Sequence, residues 1–546
     1  MTTGWGGWGG QVRVLGVLAG LAAASAVPAQ TPTVGTLLNS PTAVDGYTLF
    51  APTGYRTTYL VDNCGRLVRS WDSDYLPGLT ARLLPDGILL RAGRIPAPEF
   101  QGGGLGGSVE RYAWDGSLLD ACLLASDSLH AHHDVFPLEN GNYLAIQWER
   151  HTAEEAIAHG RLPELTPEWV WSERFVEVDP VTCAVVWQWR VWDHLVQNTD
   201  PGLPNFGEPA DFPRRFDINF QAALTGGGLG PGGGALAAAD WMHVNSIALH
   251  PESNLLLAGS RKWSEVWAID RATGEVVWRW GNPQAYGRGT EADRQLWGQH
   301  DAQFVPGGVL VFNNGWQRPE GDYSTVDFIP VPELATGQIP DPGSGPWAPA
   351  AATILHPGAP DPAFWSPNLS GAQLLPSGGL IACEGATGRL TELDAAGTPV
   401  WTYVVPVNGD GPLPASAVPA GNSTFRAYRY VADGPELAGR QLLPGDPIET
   451  GAPLSDCTTF PTAVASPPGA AFAAFPNPTT GPVRFSAPPG PTTFEVWSAD
   501  GKRVDSGSFD THGTWDAYGA EPGVYTVRFI ARLPQPARAT FLLLRL

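Results

Sequence analysis

Lysine is almost missing from this chain. Among 546 residues only Lys262 and Lys502 are lysine, and arginine supplies the rest of the 32 basic residues. Neither lysine lies in a GxxxxGK[ST] loop, so a phosphate-loop kinase or ATPase is excluded. Charge is sparse altogether: Asp, Glu, Lys and Arg make up 16%, against about 25% in an ordinary soluble domain. The balance is −22, and nucleic acid, which needs a basic footprint, is excluded as a partner. A small anionic substrate is not, because salt screens charge over ~8 Å and a local pocket sets its own potential. Cys64, Cys122, Cys183, Cys383 and Cys457 form no CxxC, which argues against a thiolate zinc site. In an exported chain they allow one or two disulfides with a thiol left over, and the sequence assigns no pairing.

What is abundant is glycine (66) and tryptophan (22). Together they point to many short strands joined by tight turns. Hydrophobic residues reach 43%, enough for a sizeable core. The length exceeds the ~250–300 residues at which one core stops growing, so more than one domain is expected.

Residues 14–27 (VLGVLAGLAAASAV) follow Arg13 and lead through Val27-Pro28-Ala29 to Gln30. An apolar run of this length with a small-residue site predicts a signal peptide over 1–29. It is short for a transmembrane span of ~20 residues. The expectation is an exported protein with no transmembrane segment in the mature chain.

Self-similarity organises residues 30–460. A turn glycine is followed six residues on by a large residue at Gly65/Trp71, Gly116/Cys122, Gly274/Trp280 and Gly397/Tyr403, and Cys183/Trp189 copies the spacing without glycine. An aspartate precedes each turn: Asp62, Asp115, Asp179, Asp270 and Asp394. A second turn comes earlier in each repeat, as in HDVFPLENGNYLAI, HDAQFVPGGVLVF and SGAQLLPSGGLIA. Two hairpins per repeat make a four-stranded sheet. With one degenerate copy near Gly337, about six repeats of roughly 66 residues predict an all-β, six-bladed β-propeller.

Composition changes near residue 460. SPPGAAFAAFPNPTTGPVRFS leads into strands at FEVWSADGKRV and GVYTVRF, predicting a linker and a small Ig-like β-sandwich over 461–546. On Phe475-Pro476-Asn477-Pro478 with Gly481, Asp500-Gly501 with Arg503, and Gly523-Val524-Tyr525 with Arg528, this stretch resembles the C-terminal sorting domain of type IX secretion. The resemblance implies the type IX machinery as a partner. The product would be secreted from, or held on, the outer surface of a Gram-negative bacterium.

Three histidines stand at one place in the repeat. His133, His243 and His300 each open a strand, and equivalent positions on successive blades share a rim. Side chains alternate along a strand, so His132 and His133 point apart; the HD dipeptides at 133 and 300 favour His133 as the inward one. Asp134 and Asp301 then point away. The same rule puts Asn245 on the face of His243 and Arg261 at the edge of the same mouth. Three His with an Arg and an Asn suit a tetrahedral oxyanion, and a neutral imidazole is a competent nucleophile. No acidic residue is expected on this face, and no metal or cofactor is expected. Trp241, Trp263, Trp297 and Trp316 are candidates for stacking on an aromatic ring or for blade core.

On HHDVFPLENGNYL, DWMHVNSIAL, AGSRKWSEVWAID, WRWG and GQHDAQFVPGGVLVFNNG, residues 45–450 resemble the bacterial arylsulfate sulfotransferases. That resemblance implies an aryl sulfate donor, a phenol acceptor and a sulfated His300. It further implies sulfuryl binding by His133, His243, Asn245 and Arg261, with His132 as a further substrate-binding candidate. The segment NSTFRAYRY is similar to the family's closing strand and would bring Thr424 to the site. Two readings compete: a non-catalytic surface propeller binding glycans or partners, and a metal-dependent propeller hydrolase.

Overall fold

Five turns repeat one hydrogen-bond pattern. In each, an aspartate carboxylate accepts backbone N–H groups two to four residues further on. Asp62 takes those of Cys64 and Arg66, Asp115 that of Ser117, Asp179 those of Val181 and Thr182, Asp270 those of Ala272 and Thr273, and Asp394 those of Ala396 and Thr398. The residue that closes the turn is left-handed. Gly65, Gly116, Gly274 and Gly397 hold this position at φ of 75°, 90°, 77° and 78°, and Cys183 holds it at 58°. Glycine does so without steric cost. Cys183 carries a Cβ there, and a disulfide to Cys122 ties it down.

The computed structural model describes residues 31–221 and 239–451, Cys457, the strands between 473 and 545, and scattered positions near the N-terminus. The expected signal run, the glycine-rich stretch 225–234 and the PNP sequence lie outside the described residues. The compact unit runs from Pro32 to Leu546.

The Asp turns join the third and fourth strands of antiparallel sheets of four or more strands, of which the described residues between 31 and 451 contain six. The first is Thr424–Tyr430, Tyr47–Pro52, Thr58–Val61 and Leu67–Trp71; the second Pro77–Leu83, Leu89–Arg94, Gly107–Tyr112 and Leu118–Leu123. The third is Leu129–Pro137, Tyr143–Thr152, Trp169–Val178 and Val185–Arg190; the fourth Val244–Leu249, Leu255–Ser260, Glu265–Asp270 and Val276–Trp280. His300–Val305, Gly308–Asn313, Thr325–Pro330 and Thr353–His356 form the fifth. Gly371–Leu374, Leu380–Glu384, Arg389–Leu393 and Pro399–Val404 form the sixth, with Gly35–Asn39 added outside. The innermost strands touch in a closed circuit. The protein is a β-propeller.

Both faces of each sheet are apolar because each packs on two neighbours. Along Tyr143–Thr152, Leu144 and Ile146 join the core shared with the fourth sheet. Tyr143 and Ala145 join the core shared with the second. This double burial turns inner strands into near-continuous apolar runs such as LLLAG within Leu255–Ser260. Burying each large side chain contributes about 1.5–3 kcal/mol.

The ring closes by exchange of its ends. Thr424–Tyr430 pairs with Tyr47–Pro52, and Gly35–Asn39 pairs with Pro399–Val404. A second disulfide, Cys64–Cys457, holds the chain beyond the last blade strand; Cys383 remains a buried free thiol. The closing strand also brings Arg426 to the axis. Its guanidinium pairs with Asp134 at 2.8 Å and Asp301 at 3.1 Å, and donates to the Asn245 carbonyl at 2.9 Å. One arginine thus ties the first sheet to the third, fourth and fifth. Removing it leaves buried Asp301 without its ion pair and Asp134 with only the more distant Arg82 at 3.8 Å, so Arg426→Leu is expected to cost about 3–5 kcal/mol. An unchanged denaturant midpoint would show that this cluster adds no stability.

Beyond 473 the strands form a three-stranded sheet (Ala473–Phe475, Val483–Ser486, His512–Trp515) and a four-stranded one (Arg503–Phe509, Thr492–Ser498, Gly523–Ala531, Ala537–Arg545). Phe485, Phe494, Val496, Trp515, Val527 and Phe529 fill the core between them.

Candidate functional site

The innermost strands open irregularly, and this creates the site. In the third sheet Ala145 pairs with Val135 but Ile146 with His132, so His133 and Asp134 bulge out between them. In the fourth, Val244 faces Ser260 and Ser246 faces Gly259, which leaves Asn245 as the extra residue. In the fifth, Asp301 and Ala302 bulge between the His300 and Gln303 pairs. His133, His243 and Asp301 are left-handed, at φ of 54°, 55° and 57°. A bulge re-aims a side chain at the cost of local strain. Here it brings His133, His243, His300 and Arg261 onto one cavity of about 980 Å³.

His300 is oriented by the strand beside it. Its Nδ1 lies 2.7 Å from Asn314 Oδ1 and 3.2 Å from the Gly298 carbonyl. Asn314 has no choice of face, because its Nδ2 donates to the carbonyls of Ser366 and Leu369. Two acceptors at Nδ1 fix the proton there and leave the lone pair on Nε2. Burial first, then the Arg261 guanidinium, holds the ring neutral well below the usual histidine range.

His243 is set by an acid the sequence reading did not place. Asp240 Oδ2 accepts from His243 Nδ1 at 2.5 Å and lies 3.7 Å from Lys262 Nζ. Lys262 and His243 keep Asp240 ionised despite its burial. Asp240 stands behind the ring; no carboxylate is among the described residues lining the cavity. Arg261 enters from the turn after Leu255–Ser260, with its N–H on the His243 carbonyl at 3.0 Å. Burial lowers it to about 10, which leaves it a cation at neutral pH.

Three of the expected site residues lie away from the cavity lining. Asn245 is the bulge residue, so alternation from His243 fails; its amide donates to the Gln299 carbonyl at 2.8 Å and does not line the cavity. Thr424 donates to the Ala51 carbonyl, and Ser423 beside it lines the cavity instead. His132 does not reach the cavity. It lies behind His133, flat on Trp148 with ring centres 4.0 Å apart. The four tryptophan candidates are likewise not lining residues. Trp263, for one, is fully buried in the core between the third and fourth sheets.

The aromatic wall is Phe100, which opens the run FQGGGLGG. This loop crosses directly over His133: a Cβ on Gly104 would sit 2.0 Å from the imidazole. Arg94, Leu79, Leu105 and Leu369 complete much of the rim. The glycine run was the one sequence signal for this wall. Phe100 and Arg94 carried none. The described residues contain no group of three His, Cys, Asp or Glu placed to hold a metal ion.

A propeller with three inward histidines and a buried arginine on one cavity is a scaffold for an anionic substrate. The family model for arylsulfotransferase (ASST) matches residues 55–327, half of the chain, and the chain belongs to that family; its class of activity is aryl sulfotransfer. No curated protein matches. Among solved structures, the chain is similar to a streptogramin B lyase, at 11% identity over 69% of this chain and 84% of that one, with a TM-score of 0.32. The Cps50 (Swd1) β-propeller domain of Myceliophteria thermophila is similar at 13% over 69% and 90%, with a TM-score of 0.33. Dihydro-heme d1 dehydrogenase NirN in complex with DHE gives 12% over 88% and 77%, with a TM-score of 0.30. At such scores the sheet topology, not these neighbours, defines the fold.

Proposed function

We propose that this protein moves a sulfuryl group from an aryl sulfate to a phenol through a sulfated His300, without a nucleotide donor. The observation that carries the reading is the convergence of His133, His243, His300 and Arg261 on one cavity, with the His300 lone pair fixed on Nε2. Arg261 holds two sulfuryl oxygens with its planar fork. Burial holds His243 below the usual histidine range against the pull of Asp240, and the arriving sulfate anion draws a solvent proton onto its Nε2, which then holds the third oxygen. His300 Nε2 forms the N–S bond while the S–O bond to the phenol breaks. His133 gives the leaving oxygen a proton. An acceptor phenol then returns that proton to His133 and takes the sulfuryl group. Such transfers pass through a loose state with charge spread over three oxygens, so positioned cationic donors lower the barrier. Phe100 and the leucines of the rim suit an aryl ring.

The test is to incubate the purified protein with a nitrophenyl sulfate, with and without added phenol. Phenol should raise nitrophenol release several-fold and appear as phenyl sulfate, with parallel double-reciprocal lines for the two substrates. Release unaffected by phenol and abolished by chelator would replace this reading with the metal-dependent hydrolase. Absence of any release would favour the binding propeller.

We further propose export to the cell surface or medium by the type IX route. Two disulfides suit an oxidising compartment, and the apolar run 14–27 and the C-terminal sandwich supply the addressing. Mass spectrometry of the secreted protein should find a new N-terminus near Gln30. Deleting 470–546 should strand the protein in the periplasm; unaltered secretion would remove the sorting role.

A further inference from the structure

Behind His133 runs a line of buried polar atoms that sulfuryl binding does not use. His132 Nδ1 lies 2.8 Å from His133 Nδ1, and His132 Nε2 lies 2.9 Å from Glu173 Oε2. Glu173 Oε1 is already taken, accepting the Val244 N–H at 2.9 Å. The side chains of His132 and Glu173 have no solvent exposure. With neutral rings, each contact holds one proton, so two arrangements satisfy the line. In one, Glu173 carries its proton on Oε2 and donates to His132 Nε2. His132 Nδ1–H then donates to His133 Nδ1, and His133 bears its own proton at Nε2, on the cavity. In the other, every proton has moved one place away from Glu173 towards the cavity, so that Glu173 is a carboxylate and His133 Nε2 presents a lone pair. The state of the acid sets what His133 offers the substrate.

We propose that Glu173 and His132 form a proton relay to His133, with Glu173 as the buried store of the proton exchanged with the phenol. This rests on the sulfuryl-transfer reading. As the S–O bond breaks and the N–S bond forms at His300, the phenolate oxygen takes the Nε2 proton of His133. His133 Nδ1 takes that of His132, and His132 Nε2 takes that of Glu173. The products are a neutral phenol, sulfo-His300 and a Glu173 carboxylate, and the charge of the donor sulfate ester now resides on Glu173. When an acceptor phenol attacks, its proton travels the same path back. Apart from the proton that His243 takes up with the sulfate and releases with the product, none is exchanged with solvent in a full cycle.

The surroundings favour this traffic. Burial raises the Glu173 carboxyl well above the usual carboxylate range; Asp240 adds to that, and His243 and Lys262 oppose it. Burial first, then His243, His132, His300 and Arg426, disfavours an imidazolium at His133. A proton therefore has no resting place on His133 and must pass through. Trp148, stacked on His132, keeps the middle ring aligned.

General acid–base catalysis contributes typically 10²–10⁴-fold where the leaving group needs a proton. Phenyl sulfate, whose phenol has a pKa near ~10, needs one; a dinitrophenyl sulfate does not. Glu173→Gln keeps the shape and an Oε1 acceptor for Val244 but stores no proton. It should lower single-turnover transfer from phenyl sulfate by about 10²-fold or more and from the dinitrophenyl ester by less than about threefold. His132→Phe, which retains the stack on Trp148, should give the same split. In the intact protein, adding phenyl sulfate without acceptor should abolish the infrared carbonyl band of one protonated carboxyl, and Glu173→Gln should lack that change. Equal losses on both donors, or an infrared difference that persists in Glu173→Gln, would overturn the relay while leaving the transfer reading intact. A wild-type protein that transfers from neither ester would overturn both.

Discussion

Mixed with an aryl sulfate and no acceptor, the protein is expected to release about one phenol per active site and then stall. Its intact mass should rise by one SO₃ group, as a covalent intermediate requires. The adduct should be acid-labile, as a nitrogen–sulfur bond is, and added phenol should discharge it. His300→Ala should abolish the burst, because the lone pair fixed on Nε2 by Asn314 is then gone. His133→Ala and His243→Ala should slow the burst without removing it. The pH dependence follows from burial. His300 is held neutral well below the ordinary histidine range, so its nucleophilic form persists as pH falls through that range. The burst rate at pH 5.5 should lie within about twofold of that at pH 7.5, whereas an unperturbed histidine of pKa ~6.5 would lose about tenfold. An adduct on another residue, or a burst intact in His300→Ala, would overturn the assignment and make His243 the next candidate.

The second large effect concerns Arg261. Lysine at this position keeps the charge but loses the planar fork that grips two oxygens at once. Turnover of Arg261→Lys should fall by ~10²-fold or more, the scale of losing one oxyanion donor. The loss should appear in kcat as well as in KM, since the sulfuryl oxygens gain charge density as the transition state forms. Its N–H on the His243 carbonyl is backbone, so the substitution leaves the turn itself in place. Near-normal turnover would put Arg261 outside the reacting group.

The sequence determined the sheets. Asp62, Asp115, Asp179, Asp270 and Asp394 mark turns because a carboxylate one side chain long satisfies the N–H groups just ahead of it. Cys183 in glycine's place was legible as a copy of the turn, though its bond to Cys122 was not, because spacing alone does not pair cysteines. The register of the histidines was legible too, since repeats stack with equivalent positions around one axis. Tertiary structure decided where those side chains point. Alternation assumes an unbroken ladder, and the inner strands break theirs where they crowd the axis, with bulges at His133-Asp134, Asn245 and Asp301-Ala302. For that reason Asn245, two residues from His243 and nominally on its face, turns away to Gln299, and Thr424 yields to Ser423. Asp240 stands only three residues before His243, but Glu173 and Asn314 reach their histidines from neighbouring strands. No local pattern encodes such partners, because burial and hydrogen-bond demand choose them only once the ring of sheets has closed.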